Sequence, residues 1–100
     1  MGLGFRLTRS AQQDLTAIRQ YSEQAWGLEQ TKKYLRGMRE TIALLADFPG
    51  QGTVRQDVGE GALSFPYGSH WLFYRIEKEQ LVVFAVLHQR MVPMEHLAER

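Results

Sequence analysis

Apolar residues recur at helical spacing in two consecutive segments of the first half of the chain. In the first segment Ser10 is a suitable N-cap, with Gln13 placed to close a capping box, and Gly27 predicts the end of the helix. Its apolar stripe is Ala11, Leu15, Ile18, Tyr21 (or Ser22) and Ala25. The second segment ends at Pro49-Gly50, and its stripe is Thr31, Tyr34 or Leu35, Met38, Ile42 and Leu45. Two helices with so short a connection predict an antiparallel helical hairpin.

The second half of the chain is richer in β-branched and aromatic residues. Two apolar runs, residues 68–76 and 81–91, flank the charged residues 77–80 and predict a β-hairpin. Shorter strands are predicted over residues 4–8, 54–58 and 62–66, and Pro93 predicts the first turn of a short C-terminal helix. This order predicts an α+β fold: an N-terminal strand, a helical hairpin packed on one face of a small antiparallel sheet, and a short C-terminal helix.

Composition narrows the class of protein. One hundred residues with 44% apolar content fit a single globular domain, residues 1–100. The chain has no cysteine, which excludes disulfides and thiolate metal sites. It has neither an apolar run of the roughly 20 residues that span a membrane nor a signal-peptide core at its N-terminus, so we expect a cytoplasmic protein with no membrane partner. A net charge of +1 argues against sequence-specific nucleic-acid binding by this chain alone.

The candidate chemistry lies on the predicted β-hairpin, which carries two histidines and two arginines. His70 and Arg75 are on the first run, and His88 and Arg90 are on the second. A four-residue turn pairs positions whose numbers sum to about 158, which places His70 opposite His88. Two imidazoles without a third ligand make a poor zinc site, so we expect no metal and no cofactor here, and hydrogen bonds to carbonyls or carboxylates instead.

The aromatic residues admit two interpretations. Trp26 and Tyr34 either close the helical hairpin or line an apolar groove that accepts a helix of a partner, and Trp71 raises the same question on the sheet. Interfaces are enriched in aromatic residues, which favours the groove. The partner-contacting residues predicted on this basis are Tyr21, Trp26, Tyr34, Met38 and Trp71.

A series of short motifs runs along nearly the whole chain. They are Leu7-Thr8 with Ala11 and Asp14-Leu15, Trp26-Gly27, Gly68-Ser69-His70 before Phe73-Tyr74-Arg75, Leu87-His88-Gln89-Arg90-Met91, and His96-Leu97. In this order and in a chain of this length, the motifs resemble those of the ParE toxins, within the ParE/RelE superfamily of bacterial toxin–antitoxin systems.

This resemblance implies a cytoplasmic toxin that inhibits DNA gyrase by binding it, with no bond-making chemistry of its own. It also implies a ParD-like antitoxin, acidic and partly disordered, that folds across the helical hairpin or adds a strand to a sheet edge. The antitoxin would contact the five partner-contacting residues given above. The residues expected to contact gyrase are Arg75, His88, Arg90, Met91, His96 and Leu97.

Two positions depart from the family pattern near the expected target-binding end. An acidic residue commonly follows the Arg-Met pair, and this chain has Val92 there. An arginine often lies a few residues before the Gly-Ser-His motif, and this chain has Leu63 in that place.

The alternative is a RelE-like, ribosome-dependent mRNA endonuclease on the same fold. Such a reaction needs cations for the phosphate, which Arg55, Arg75 and Arg90 would supply, and a group that moves a proton, such as His88. RelE-like enzymes generally carry a tyrosine, or a His-Tyr pair, just past the last strand. Here that segment is Met91-Val92-Pro93-Met94, which offers no proton-transfer group, so the binding toxin is the favoured interpretation.

Overall fold

The computed structural model describes residues 2–91 and 93–97, apart from the side chain of Met94. Along the chain the elements are β1 (Gly4–Leu7), α1 (Arg9–Trp26), α2 (Leu28–Asp47), a single 3-10 turn (Pro49–Gln51), β2 (Thr53–Val54), β3 (Leu63–Tyr67), β4 (His70–Glu77), β5 (Gln80–His88) and α3 (Pro93–Leu97). The predicted α+β order, with its helical hairpin, its β-hairpin and its short last helix, is confirmed. Val92, one of the two departures from the family pattern, lies outside the described residues.

The five strands form one mixed sheet in the order β1-β5-β4-β3-β2. The pairs from β2 to β5 are antiparallel, but β1 pairs with β5 in parallel, so the sheet is not wholly antiparallel as the sequence predicted. The parallel pairing follows from the two helices, because they carry the chain across one face of the sheet before it returns along β2 to β5. The two edges of the sheet are therefore β1 and β2.

Apolar side chains cover both faces of this sheet. On the helix side, α1 and α2 pack over the sheet in a main cluster of Ala11, Met38, Ile42, Leu45, Ala46, Leu72, Tyr74, Leu81, Val83 and Val86. On the opposite side a second cluster comprises Ala62, Phe73, Phe84, Ala85, Leu87 and Leu97, which brings α3 onto the sheet. Strand β5 supplies residues to both clusters and is buried along nearly its whole length.

The first helix begins two residues earlier than its sequence suggests. Thr8, in extended conformation at the end of β1, is the N-cap and accepts a hydrogen bond from the Ala11 N–H at 3.2 Å; Ser10 is inside the helix. Gly27 ends α1 as predicted, and its φ of 88° is a conformation that a side chain would strain.

The β-hairpin reaches its predicted register by a different route. Its turn has two residues, Lys78 and Glu79, both with positive φ, where the sequence predicted four. This turn pairs the same positions as a four-residue turn would, so it leaves the register unchanged. A β-bulge at Phe73/Tyr74 adds one residue to β5 and shifts the register by one position, which places His70 opposite His88, so that prediction is confirmed.

The strand predicted over residues 54–58 is limited to Thr53–Val54. Residues 55–58 form a turn instead, closed by hydrogen bonds from the Val58 N–H to the Arg55 carbonyl and from the Arg55 N–H to the Ala62 carbonyl. The polar composition of this segment is typical of such a turn.

Candidate functional site

The two paired histidines lie at the end of the β-hairpin that faces α1. They border a mostly apolar pocket of about 390 Å³, which we call the histidine pocket. Its lining residues are Ala17, Ile18, Tyr21, Ser22, Trp26, His70, His88 and Met91. The pocket is thus built from one face of α1, the start of β4 and the end of β5.

His70 is held in place by a tyrosine from α2. The Tyr34 hydroxyl lies 2.7 Å from His70 Nδ1 and also accepts a hydrogen bond from the Ser69 N–H at 3.1 Å. His70 is 7% exposed. Burial, and secondly the neighbouring His88, lower the pKa of His70 below its ordinary value, so the uncharged imidazole is the favoured form.

His88 occupies the other wall of the pocket and has a defined tautomer. The Arg90 N–H donates to His88 Nδ1 at 3.1 Å, which leaves the proton of the neutral ring on Nε2. The Met91 N–H donates to the His88 carbonyl and the Gln89 N–H to the Ser69 carbonyl, each at 2.9 Å. These bonds fix the turn after β5 against the β3–β4 turn and leave the Arg90 and Met91 side chains exposed.

A row of aromatic rings connects the pocket to the helical hairpin. Ring centroids are 6.4 Å apart for Tyr21 and Trp26 and 6.5 Å apart for Trp26 and Tyr34. The row continues from Tyr34 to His70 at 5.7 Å and from His70 to His88 at 5.4 Å. The side chains of Tyr21 and Trp26 are 69% and 53% exposed, so the packing of the helical hairpin does not bury them. Residues predicted for two different partners, Tyr21 and Trp26 on one side and His88 and Met91 on the other, therefore border a single pocket.

Other predicted target residues lie on the opposite face of the sheet. Arg75 forms an ion pair with Glu77, which lowers the pKa of that carboxyl group, and its guanidinium lies 5.1 Å from the centroid of the Phe84 ring. Leu97 is buried in the second cluster beside Phe84, and His96 is exposed on α3. The structure therefore brings His88, Arg90 and Met91 together but places Arg75 and Leu97 elsewhere.

Two of the predicted antitoxin residues also differ from the rest of their set. Met38 is 1% exposed in the main cluster, so the expectation that it lies on a contact surface needs correction. Its place in the apolar stripe of α2 turns it toward the sheet. Trp71 packs on the second cluster, across the sheet from Trp26 and Tyr34.

Two of the three cations that an RNA-cleaving site would use, Arg55 and Arg75, are engaged within the protein. Arg55 donates to the Asp57 carboxylate at 2.9 and 2.8 Å, which lowers the pKa of Asp57, and it stacks 5.4 Å from the Phe73 centroid. Arg75 is paired as described, while Arg90 lies past the end of β5. In the described part of the chain no three His, Asp or Glu side chains are grouped so as to hold a metal ion.

Sequence reasoning missed the α1 wall of the pocket and the contact between Tyr34 and His70. The signal for the wall was the neighbouring pairs Ala17-Ile18 and Tyr21-Ser22, which recur at a spacing of four residues. That spacing identifies a helix face but cannot tell which part of a sheet the face meets. The Tyr34–His70 contact joins residues 36 positions apart and had no local signal.

Comparison with known proteins decides the family. Residues 5–93 match the family model described as the ParE toxin of the type II toxin–antitoxin system parDE. The chain belongs to the ParE toxin family. The resemblance to ParE toxins noted in the sequence is thereby confirmed, and the chain is a toxin of the type II toxin–antitoxin class.

Individual ParE relatives agree over nearly the whole length. The chain is 40% identical over 93 residues to Toxin ParE1 of Caulobacter vibrioides, covering 93% of this chain and 96% of that protein. It is 34% identical over 98 residues to Toxin ParE of Escherichia coli, covering 94% and 92% of the two.

Solved structures share the fold of this ParE family member. The chromosomal ParDE system from P. aeruginosa has a chain that superposes with a TM-score of 0.75 at 19% identity, covering 86% of this chain and 95% of that one. The RelBE2 toxin–antitoxin complex from Mycobacterium tuberculosis gives 0.66 at 22% identity, covering 88% and 99%. At these identities the likeness establishes the architecture alone.

No helix in residues 2–91 and 93–97 is long and apolar enough to cross a membrane.

Proposed function

We propose that this toxin inhibits DNA gyrase by binding it and that a ParD-like antitoxin neutralises it. The supporting observation is the histidine pocket, an apolar cavity of about 390 Å³ whose lining includes the exposed Met91, with the exposed Arg90 next to Met91 in the chain. A concave apolar site with a few polar groups at its border is suited to binding a protein side chain. Membership of the ParE family supports an antitoxin as the partner, and gyrase as the target comes from what the sequence resemblance implies.

Each residue at the pocket has a separate role in this proposal. Arg90 supplies a permanent cation with several N–H donors beside the pocket-lining Met91, and Met91 supplies a flexible apolar contact. His88 supplies one donor from Nε2, because its Nδ1 accepts the Arg90 N–H. Arg75 and Leu97, which the structure places on the other face of the sheet, are left out of this surface, and exposed His96 stays a prediction.

The antitoxin surface is proposed to include the exposed aromatic row of Tyr21, Trp26 and Tyr34. Strand β1 is the more suitable edge for an added antitoxin strand, since β2 has only two residues. Met38 is buried in the main cluster and is not part of this exposed row, and Trp71 stays a prediction for the far face of the sheet.

Removal of the Arg90 side chain tests the gyrase proposal. We expect Arg90→Ala to inhibit gyrase supercoiling about tenfold less strongly than the unaltered chain, a loss of about 1.4 kcal/mol of binding, since arginine is enriched among the few interface residues that carry most of the binding energy. Arg19→Ala, which removes an exposed arginine from α1 outside the pocket lining, serves as the matched control.

The circular dichroism spectrum and thermal midpoint of both variants establish that they are folded. If folded Arg90→Ala inhibited supercoiling as strongly as Arg19→Ala, the assignment of this surface would be wrong. If the unaltered chain failed to inhibit gyrase and instead cleaved messenger RNA on translating ribosomes, the proposed target itself would be wrong.

A further inference from the structure

One polar residue of α1 is buried at a place where the helix would otherwise present an apolar side chain. Ser22 shares the apolar stripe of α1 with Tyr21 and is only 2% exposed. Buried hydroxyl groups are normally hydrogen-bonded, because an unpaired one gives up its bonds to water without replacement.

Ser22 differs in this respect from the hydroxyl residues elsewhere in the two long helices. The hydroxyls of Thr16, Thr31 and Thr41 each donate to the carbonyl four residues earlier. Within the described part of the chain, the Ser22 hydroxyl makes no hydrogen bond of this or any other kind. Its buried position is therefore not explained by a bond inside the protein.

The Ser22 hydroxyl opens into the histidine pocket, which its side chain lines. Among the described residues, every buried side-chain oxygen or nitrogen has a hydrogen-bond partner. Since Ser22 Oγ has none, solvent must reach it, and the pocket is the cavity that this residue borders. The same holds for Nε2 of His70, because the hydrogen bond of that ring is made by Nδ1. Two side chains more than nine-tenths buried thus present unpaired polar atoms to one cavity.

The hydrogen bonds of Tyr34 decide which nitrogen of His70 carries the proton. The Tyr34 hydroxyl has a single hydrogen, which it donates to the Tyr67 carbonyl at 3.2 Å, and it accepts the Ser69 N–H. Its contact of 2.7 Å with His70 Nδ1 is then a hydrogen bond only if Nδ1 carries the ring proton. Nε2 of the uncharged His70 ring is therefore an acceptor.

His88 has the opposite tautomer, so the two neighbouring rings are complementary. Its Nδ1 accepts the Arg90 N–H, which leaves the proton on Nε2 as a donor. The two imidazoles are in contact, with their planes at 82°. The pocket therefore offers an acceptor on His70, a donor on His88 and, on Ser22, a hydroxyl that can act as either.

The rest of the pocket lining is unsuited to a charged ligand group. Its other residues are Ala17, Ile18, Tyr21, Trp26 and Met91. None of the described lining residues is charged, so an ionised group placed there would lose its hydration without an opposite charge to pair with. An uncharged group that both donates and accepts hydrogen bonds is complementary to this cavity.

A primary carboxamide has these properties. Its oxygen accepts from Nε2 of His88, and its two N–H groups donate to Nε2 of His70 and to Oγ of Ser22. Among protein side chains, glutamine and asparagine carry this group at the end of a short apolar stem.

We infer that the histidine pocket receives a primary carboxamide, the side chain of a glutamine or asparagine of gyrase. This inference rests on the proposed function for the identity of the partner, and it adds the chemical class of the side chain that enters the pocket. It also makes Ser22 and His70 target-contacting residues, beside His88 and Met91.

Nuclear magnetic resonance of the full chain, labelled with nitrogen-15, tests the ligand class with small probes. Propanamide is expected to bind with a millimolar dissociation constant and to shift the ring nitrogens of His70 and His88. Propanoate has the same shape but carries a charge, and it is expected to bind at least about tenfold more weakly. Equal binding of the two probes, or no binding of propanamide, would overturn the inference.

The same spectra test the tautomers and a nucleic-acid occupant. A proton on Nε2 of His70 in the free protein would remove the acceptor and contradict the inference. Adenosine also carries a donor beside an acceptor on one edge of its base. Shifts of the ring nitrogens with adenosine and none with propanamide would assign the pocket to a nucleobase instead.

A serine-to-alanine pair on α1 tests the role of the hydroxyl. Ser22→Ala is expected to weaken propanamide binding about fivefold while keeping or raising the thermal midpoint, because the hydroxyl has no partner in the protein and alanine favours the helix. A merely structural hydroxyl would give the reverse, a lower midpoint with unchanged binding. Ser10→Ala makes the same change outside the pocket lining and is expected to leave binding unchanged.

A gyrase supercoiling assay on the same variants keeps the two proposals apart. Ser22→Ala is expected to inhibit gyrase about fivefold less strongly than Ser10→Ala. If propanamide bound in the pocket but the unaltered chain left gyrase active, the carboxamide site would stand and the gyrase target would fall. If the unaltered chain inhibited gyrase and Ser22→Ala did so equally well, gyrase would stand as the target and the carboxamide inference would be wrong.

Discussion

At the scale of single residues, the protonation of His70 makes the stability of the fold depend on pH. Burial and His88 hold its pKa below the ordinary value of 6.5, while the unfolded chain takes up a proton at that value. As the pH falls through 6.5, the unfolded state therefore binds more protons than the folded state, and stability is lost on the acid side.

We expect the free energy of unfolding to decrease between about pH 7.5 and pH 5.5, as measured by urea titration. A His70→Gln variant, which keeps a polar side chain within reach of Tyr34, is expected to show a flatter dependence over this window. His96→Gln, a change at an exposed histidine of α3, serves as the control and should retain the slope of the unaltered chain. Equal slopes in all three proteins would contradict the assignment to His70.

The residues of the site differ in how far their roles could be predicted. The pairing of His70 with His88 followed from hairpin register. The ion pair of Arg75 with Glu77 could also be predicted from the sequence, because side chains two residues apart on a strand share a face. The hydrogen bond between Tyr34 and His70 could not be predicted, since it depends on how α2 crosses the sheet.

At the scale of elements, two tyrosines attach α2 to the β3–β4 turn. The Tyr34 hydroxyl accepts the Ser69 N–H, and the Tyr67 hydroxyl donates to the Tyr34 carbonyl at 2.8 Å. Each tyrosine lies against a glycine: a Cβ at Gly37 would overlap the Tyr67 hydroxyl, and one at Gly68 would overlap that of Tyr34. The glycine in the middle of α2 is therefore explained by its neighbour in space.

The contacts of these tyrosines between α2 and the β3–β4 turn predict that substitutions at Gly37 and Tyr67 have non-additive effects on stability. Alanine at position 37 favours the helix by up to about 1 kcal/mol, but the overlap with the Tyr67 hydroxyl should make Gly37→Ala destabilising by about 1–3 kcal/mol. In a Tyr67→Phe background the hydroxyl is gone, and the same change should become close to neutral. A double-mutant cycle in urea measures the coupling, and additive effects would show that the two residues do not interact.

The elements themselves were predicted better than their ends. Helical spacing located both helices, and Gly27 marked their connection. The cap of α1 moved to Thr8 because the strand before it ends there, which the local sequence of Ser10 and Gln13 could not reveal. The two-residue turn of the hairpin was hidden because a four-residue turn centred on the same point pairs the same positions, and the bulge at Phe73/Tyr74 had no local signal.

At the scale of the whole molecule, both apolar clusters depend on one strand. Val83 and Val86 of β5 face the helices, while Phe84 and Leu87 face α3. Unfolding of β5 would expose the apolar side chains of both clusters at once. The chain should therefore unfold as one cooperative unit.

Two single-tryptophan variants test this cooperativity. Trp26→Phe leaves Trp71 to report on the second cluster, and Trp71→Phe leaves Trp26 to report on the helical hairpin. In each variant we expect the fluorescence and far-ultraviolet circular dichroism transitions in urea to coincide. Separate transitions in either protein would show that the two sides of the sheet unfold independently.

The one global feature that the sequence could not provide is the parallel pairing of β1. Its partner residues lie about 76 positions further along the chain, from Gly4 opposite Gln80 to Leu7 opposite Val83. The alternation of residues 4–8 is compatible with a strand in either direction, so its orientation depends on the course of the whole chain.

The late position of β5 also affects how the protein is made. A ribosome delivers residues 80–88 after both long helices and the other four strands have been synthesised, yet these residues join β1 to the remainder of the sheet. A nascent polypeptide interrupted before that point lacks the strand on which both of its cores are built. An incomplete translation product of this gene is therefore unable to assemble the native toxin.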